Sequence, residues 1–167
     1  MDIQIIASRY VGLNKSGDFK YMIDQNINED ALYIFNDNIE HFNKKSYIKG
    51  KGNAIIRYYN QFNTNLKKPH SIGIPTGSLK YGGFTSLDDD TKLIIDESFD
   101  RIIDVLNKHN FNTIYYSTNN KSGILGTSIF RVNVDVIKYI TNKLHELSSN
   151  PIIIEMNSKS NTNVCAY

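Results

Sequence analysis

The segment from Ser122 to Phe130, SGILGTSIF, places two glycines and two hydroxyl side chains between a predicted strand and a predicted helix. Glycine permits positive φ angles and close approach of the backbone, so that successive N–H groups can point at one anion. We therefore expect this loop to hold a phosphate group. The alternative is a structural loop leading into a helix, in which serine and threonine side chains satisfy their own backbone.

A second candidate is the segment IGIPTG, from Ile72 to Gly77, which ends another predicted strand. Pro75 would shape a wall, Thr76 would offer a hydroxyl group, and Gly77 would offer an open N–H group. A tight turn without a binding role explains the same residues equally well.

A third candidate is the segment GKGNAIIR, from Gly50 to Arg57, which combines a flexible loop, a helix start and a cation. The N-terminus of a helix has free N–H groups and a partial positive charge, and it attracts phosphate. Arg57, four residues beyond Asn53, would reach the same side. The alternative is that Arg57 pairs with a surface carboxylate.

A run of polar residues, Asn36, Asp37 and Asn38, follows a buried strand. A carboxamide there would form hydrogen bonds with an adenine edge or with ribose hydroxyls, although turn formation explains any one of the three residues better.

We interpret Asp88 to Asp90 as a helix N-terminal charge cluster rather than a metal site. The four histidines are isolated from one another, so none is assigned to catalysis, and we expect neither a metal nor a cofactor.

These segments need strands and helices to position them. Hydrophobic patterns predict strands at 3–7, 31–35, 71–74, 113–116 and 151–155, and helices at 54–62, 91–109 and 133–147. Residues 12–28 are expected to be irregular and the tail from 157 to be partly disordered. The alternation predicts an α/β fold, a three-layer sandwich with a mostly parallel central sheet and helices on both faces. Its loops would gather at the carboxyl ends of the strands.

Composition restricts the class of protein. The 167 residues match one domain, 1–167, and the formal charge of +2 with scattered basic residues disfavours nucleic acid as a partner. A single cysteine, Cys165, excludes a disulfide framework and a cysteine zinc site, and it favours a reducing compartment. No stretch reads as a membrane span or signal peptide, so we expect a cytoplasmic protein without membrane partners. The oligomeric state is left open.

The order of these motifs resembles the macro domain plan. The shared features are the strand before Asn36, the Gly50 loop, the IGIPTG segment, a long helix, and a strand followed by GILGTSIF. The resemblance covers about Asp30 to Leu147, and it extends to small macro-like proteins common in phage genomes. It implies a cleft for the diphosphate and distal ribose of ADP-ribose.

The resemblance also assigns residues to that cleft. Asn36 or Asn38 would stand near the distal ribose, and Gly52, Asn53 and Ala54 would form a facing loop. The diphosphate and ribose would be enclosed by Gly123, Leu125, Gly126, Thr127, Ser128, Ile129 and Phe130. With Arg57, Pro75, Thr76 and Gly77 from the residue patterns, these form the full predicted set.

Departures from the family favour binding over catalysis. The Asn-Ala-Ala-Asn run of hydrolytic macro domains is replaced by Ile34 to Asn38, and Ser128 stands where a third glycine is common. We therefore expect a module that binds an ADP-ribose-like or cyclic nucleotide, of the kind a phage would use to sequester an immune messenger. The alternatives are a hydrolase, in which Asp37 or Asn36 places water, and an interaction module that uses the segment from Gly12 to Asn28.

Overall fold

The computed structural model describes residues 2–127 and 130–156. Its strands are β1 (Gln4–Ser8), β2 (Ala31–Asn38), β3 (Ser71–Ser78), β4 (Gly82–Gly83), β5 (Thr113–Ser117) and β6 (Ile153–Glu155). Its helices are α1 (Phe19–Asp24), α2 (Ile39–Asn43), a 3₁₀ helix (Gly52–Tyr59), α3 (Asp89–Lys108) and α4 (Val134–Glu146). The predicted α/β class is confirmed.

The strands form one sheet in the order β4-β3-β2-β5-β1-β6. The pairs β1/β5, β1/β6, β2/β3 and β2/β5 are parallel, whereas β3 and β4 are antiparallel. The sheet is therefore mixed, which corrects the expectation of a mostly parallel one. The difference arises at Gly77 and Ser78, which pair with a two-residue strand that is too short to leave a hydrophobic pattern in the sequence.

Helices pack on both faces of the sheet because alternate strand residues point to opposite sides. On one face, Ile34 and Ile114 pack with Ile95 and Ile102 of α3 and Ile140 of α4. On the other face, the core residues come from β1, β2, β5, α1 and the 3₁₀ helix: Ile6, Phe19, Met22, Ala31, Tyr33, Phe35, Ile56 and Tyr115. None of the helices described is both long and apolar enough to cross a bilayer.

The two long helices begin where capping residues predict. The Asp88 side chain accepts a hydrogen bond from the Thr91 N–H, and the Asn133 side chain caps α4 by accepting from the Asp135 N–H. Each side chain satisfies a backbone donor that the helix itself leaves unpaired. The predicted bounds of these helices differ from the observed ones by only a few residues.

Strands β2 and β3 are longer than predicted, because both continue through their polar ends. The register pairs Asn36 with Ile74 and Asp37 with Pro75. Pro75 was expected to end β3, since proline lacks an N–H donor. The neighbouring β4 pairs only with Gly77 and Ser78, so one edge of β3 is free of a strand partner at Pro75. The absence of an N–H group at Pro75 therefore breaks no hydrogen bond between β3 and β4.

Three short helices differ from the predictions. The segment at 12–28 contains α1, capped by Asp18, and α2 begins directly after β2 with Asn38 as its cap. The predicted helix at 54–62 is a 3₁₀ helix that begins at Gly52, and its N-cap, Lys51, makes no side-chain hydrogen bond. Asn53, a residue type that can cap a helix, lies inside the helix instead. The β-branched and aromatic residues of this segment are weak α-helix formers, which disfavours the predicted α-helix.

The buried tyrosines Tyr33 and Tyr116 allow a test of how hydrogen bonding in the core affects stability. Tyr33 stacks on Tyr115 at 5.0 Å between ring centroids, and its hydroxyl has no hydrogen-bond partner among the described residues. Replacing Tyr33 by phenylalanine is expected to raise the free energy of unfolding by up to about 1 kcal/mol, because an unpaired buried polar group is removed. Urea unfolding followed by circular dichroism measures the change.

The matched control is Tyr116→Phe. The Tyr116 hydroxyl donates to the Gly123 carbonyl, so its removal is expected to lower the free energy of unfolding by about 1 kcal/mol. A larger loss for Tyr33→Phe than for Tyr116→Phe would contradict this account of the core.

Candidate functional site

A cavity of about 310 Å³ opens at the carboxyl ends of β2 and β3. Its lining comes from four stretches of chain, which the topology brings to one end of the sheet. The lining residues are Asn36, Asp37, Asn38, His41, Gly50, Lys51, Asn53, Ala54, Arg57, Thr76, Leu79, Thr127 and Phe130.

Half of the predicted binding set lines this cavity. The members are Asn36, Asn38, Asn53, Ala54, Arg57, Thr76, Thr127 and Phe130. Each of the candidate segments contributes at least one of them, so the expected convergence of loops is observed. Two predicted residues, Ser128 and Ile129, lie outside the described residues.

The loop after β5 is tied to the end of β2 by one hydrogen bond. Asn36 Nδ2 donates to the Gly126 carbonyl at 2.8 Å, and the register places Asn36 beside Ile74 and next to the Asp37–Pro75 pair. Gly126 and Pro75 therefore lie at the same edge of the sheet. Neither residue lines the cavity, but each precedes a lining residue in the chain, Thr127 and Thr76 respectively.

Arg57 and Asp37 form a buried ion pair in the cavity wall. Arg57 is 2% and Asp37 5% exposed, and Asp37 Oδ1 accepts from Arg57 Nη2 at 2.6 Å and from Arg57 Nε at 3.1 Å. The same oxygen accepts from the Asn38 N–H, and Arg57 Nη1 donates to the Ile48 carbonyl. Arg57 pairs with a buried carboxylate rather than the surface one that sequence reasoning considered, so its charge is already balanced.

Asn38 acts within the protein as a helix cap. Its Oδ1 accepts from the His41 N–H and lies 2.9 Å from His41 Nδ1. Burial lowers the pKa of the His41 imidazole from its ordinary value of 6.5, and the nearby Arg57 guanidinium lowers it further. His41 is therefore neutral at pH 7, with its ring held at the cavity wall by Asn38.

Thr76 brings a buried hydroxyl group to the cavity. The residue is fully buried, and its Oγ1 has no hydrogen-bond partner among the described residues. A buried hydroxyl without a partner is unfavourable, and in native proteins it usually has a water or ligand partner. Thr76 is thus a lining residue whose hydroxyl group is buried without a partner among the described residues.

Glu40 fastens the hairpin between β3 and β4 to α2. Its carboxylate accepts from the Ser78 hydroxyl and from the N–H groups of Leu79 and Lys80. Partial burial alone would raise the pKa of Glu40, but these hydrogen bonds outweigh it and lower the pKa to about 2. The contacts hold Leu79 at the cavity rim throughout the physiological pH range.

The remaining predicted residues have structural contacts instead. Leu125 is buried, and its N–H donates to Thr141 Oγ1, while Gly123 supplies the carbonyl that Tyr116 binds. Gly77 pairs with β4, where an added side chain would lie 2.5 Å from the Gly82 carbonyl oxygen. These positions support the loops without lining the cavity.

Gly52 lines a second cavity of about 610 Å³, which also contacts Asn53. This cavity is bordered by α1 and by Tyr10 and Leu13, both of which are exposed. The segment at 12–28 therefore forms one wall of a second depression beside the first cavity.

Sequence reasoning left five lining residues out of the predicted set: Asp37, His41, Gly50, Lys51 and Leu79. For His41, the signal was present as an asparagine cap followed by the short helix IEHFN. A five-residue helix carries too little periodicity to be recognised from its sequence, so His41 appears isolated there.

In the described part of the chain, no group of three or more acidic, histidine or cysteine side chains is arranged to hold a metal.

Thr76 offers a direct test of the unused hydroxyl group. Thr76→Val keeps the shape of the side chain, so the free energy of unfolding of the ligand-free protein is expected to stay the same or rise by about 1 kcal/mol. The control is Thr141→Val, because the Thr141 hydroxyl accepts from Leu125 and donates to the Ile137 carbonyl. Thr141→Val is expected to lose about 1–2 kcal/mol in urea unfolding. Equal losses in both variants would show that the Thr76 hydroxyl is bonded.

Comparison with known proteins gives no relative from which to transfer a function. No protein-family model matches the chain, and no significant match is found among curated proteins or solved structures.

Proposed function

We propose that the 310 Å³ cavity binds an ADP-ribose-like or cyclic nucleotide without cleaving it. A protein of this kind acts by removing the nucleotide from solution, as a phage protein would when it sequesters an immune messenger of its host. The ligand class is taken from the resemblance of the sequence to macro domains.

One observation carries the proposal: residues selected as ligand contacts from separate segments line a single cavity. Asn36, Asn53 and Thr127 supply amide and hydroxyl groups, while Phe130 supplies an aromatic surface. Ligand sites typically combine apolar walls with a few placed polar groups, and a nucleotide needs both kinds of contact.

The charge at the cavity supports a ligand with few charges. Arg57 is balanced by Asp37, whereas Lys51 is exposed at the lining and forms no ion pair within the described part of the chain. One available ammonium group suits one phosphate or diphosphate better than a polyanion. The volume lies at the lower end of the range for small-molecule sites, about 300–1,000 Å³.

Binding is favoured over hydrolysis by the contacts of the two residues considered for placing water. Asp37 Oδ1 accepts three hydrogen bonds from Arg57 and the Asn38 N–H, and Asn36 Nδ2 is engaged by Gly126. The protein itself therefore fixes the orientation of both side chains. The Asp37 carboxylate is committed to the ion pair with Arg57, whereas a general base must be able to take a proton from the water.

Calorimetric titration of the purified protein with ADP-ribose, cyclic ADP-ribose and cyclic dinucleotides tests the proposal. At least one ligand is expected to bind. Leu79→Glu is expected to weaken that binding about tenfold or more, because a carboxylate at the rim repels the phosphate. The matched control is Leu93→Glu on α3, since Leu93 is 67% exposed, Leu79 is 64% exposed, and Leu93 does not line the cavity.

The outcomes separate the candidate functions. Absence of heat with every nucleotide would contradict the proposal and favour the interaction module. Chromatographic detection of product after long incubation would favour the hydrolase. Equal weakening by Leu79→Glu and Leu93→Glu would place the ligand outside this cavity.

A further inference from the structure

His41 is the lining residue whose hydrogen-bonding state the structure defines most closely. Asn38 is 7% exposed, and its Oδ1 accepts the His41 N–H at 2.9 Å and contacts His41 Nδ1 at 2.9 Å. A carboxamide oxygen has no hydrogen to donate, so Nδ1 must carry the proton of this contact. In the neutral ring, Nε2 is then a bare acceptor.

We propose that His41 Nε2 accepts a hydrogen bond from a hydroxyl or amino group of the ligand, and thereby selects ligands with a donor at this position. This inference rests on the proposed function of the cavity. An anionic oxygen facing Nε2 would set two acceptors against each other, so the phosphate must lie elsewhere along the lining. Lys51 and the free N–H groups at the start of the 3₁₀ helix are available for it.

Burial is the largest cause of the lowered pKa of His41, so the ring is neutral above acidic pH. Arg57 of the 3₁₀ helix and Lys44 after α2 also oppose protonation, whereas Asp37 and Glu40 favour it. Arg101 of α3 borders a small cleft that also contacts His41 and Asp37. Burial adds to the two cations, and the net effect is a lowered pKa for His41.

The acceptor role of His41 Nε2 determines how the ligand affinity changes with pH. Above its pKa, His41 has a free Nε2 lone pair, and the affinity is at its full value. As the pH falls through the lowered pKa, the ring gains a proton on Nε2 and loses the acceptor, so the affinity falls. Glu40, with a pKa of about 2, stays ionised over this range and keeps the hairpin in place.

Two substitutions separate the two ring nitrogens of His41. In His41→Asn, the amide nitrogen replaces Nδ1 and keeps the donor to Asn38, but the acceptor at the Nε2 position is lost. In His41→Gln, the longer side chain carries an amide oxygen to the Nε2 position. With ADP-ribose at about pH 8, His41→Asn is expected to lose about tenfold in affinity and His41→Gln less than about threefold.

Calorimetry between about pH 8 and pH 4.5 completes the test. The ADP-ribose affinity of the wild-type protein is expected to fall with pH and that of His41→Gln to stay flat. Pyrophosphate, which lacks the donor groups, is expected to bind His41→Asn as it binds the wild-type protein. Wild-type affinity for ADP-ribose in His41→Asn, at unchanged thermal stability, would overturn the inference and leave the proposed function intact.

A measurement without ligand gives an independent check. Nitrogen-15 NMR of the imidazole is expected to show the neutral tautomer with its proton on Nδ1 at about pH 8. The tautomer with its proton on Nε2 would overturn the inference whatever the affinities are. No binding of ADP-ribose or any other nucleotide by the wild-type protein would remove the proposed function and this inference together.

Discussion

Replacing Arg57 by methionine is expected to lower the free energy of unfolding by about 3–5 kcal/mol, because it leaves the Asp37 carboxylate buried without its cation. Asp37 is 5% exposed, and two of the three hydrogen bonds to its Oδ1 come from Arg57. The substitution also removes the donor to the Ile48 carbonyl, which holds the loop before the 3₁₀ helix. Urea unfolding, with comparison of m-values, measures the loss.

The control is an exposed pair on α3. Lys108 and Asp104 are 67% and 57% exposed, and Lys108→Met is expected to change the free energy of unfolding by less than about 1 kcal/mol. The double variant Asp37→Leu with Arg57→Met is expected to recover much of the stability lost in Arg57→Met alone, because no buried charge is left unpaired. A loss below about 1 kcal/mol in Arg57→Met would show that water reaches the pair.

Replacing Gly83 by alanine is expected to cost about 2–3 kcal/mol. An added Cβ at Gly83 would lie 2.1 Å from the Arg131 carbonyl oxygen, so one of two backbone segments must move. The Asn133 N–H donates to the Phe84 carbonyl at 2.9 Å, which fastens these segments together next to Phe130 of the cavity wall. Nucleotide affinity is expected to fall together with stability.

Gly82→Ala is the neighbouring control. Gly82 has a positive φ of 80°, but no atom lies within 4 Å of an added Cβ. Its substitution is expected to cost only the backbone strain, about 1–2 kcal/mol. If Gly83→Ala proved no more harmful than Gly82→Ala in thermal unfolding, the contact with Arg131 would not restrict this hairpin.

The main elements of the fold were predictable because their signals are local. The helix α3 has apolar residues at helical spacing and an aspartate cap, and both signals are contained in the printed sequence. The antiparallel strand β4 has only two residues, and the helices α1 and α2 have six and five. Elements of this length depend on tertiary contacts rather than on their own pattern, so a sequence pattern alone does not reveal them.

The sequence predicted several residues that line one cavity, but not the contacts among them. Asn36 and Thr76 follow predicted strands, and Asn53 belongs to the loop that begins at Gly50; all three line the cavity. The pairing of Arg57 with Asp37 joins residues 20 positions apart, and no spacing rule connects them. Packing decides which polar groups form hydrogen bonds within the protein. The remaining polar groups are the ones that can form hydrogen bonds with a ligand.

The hydrogen bond from Asn36 to the Gly126 carbonyl lowers the entropic cost of any association at this cavity. Because the protein already orients that carbonyl, a ligand does not have to immobilise this part of the loop on arrival. Pre-organisation of this kind reduces the entropy lost on complex formation. Substituting Asn36 would therefore act on affinity through the loop as well as through any direct contact.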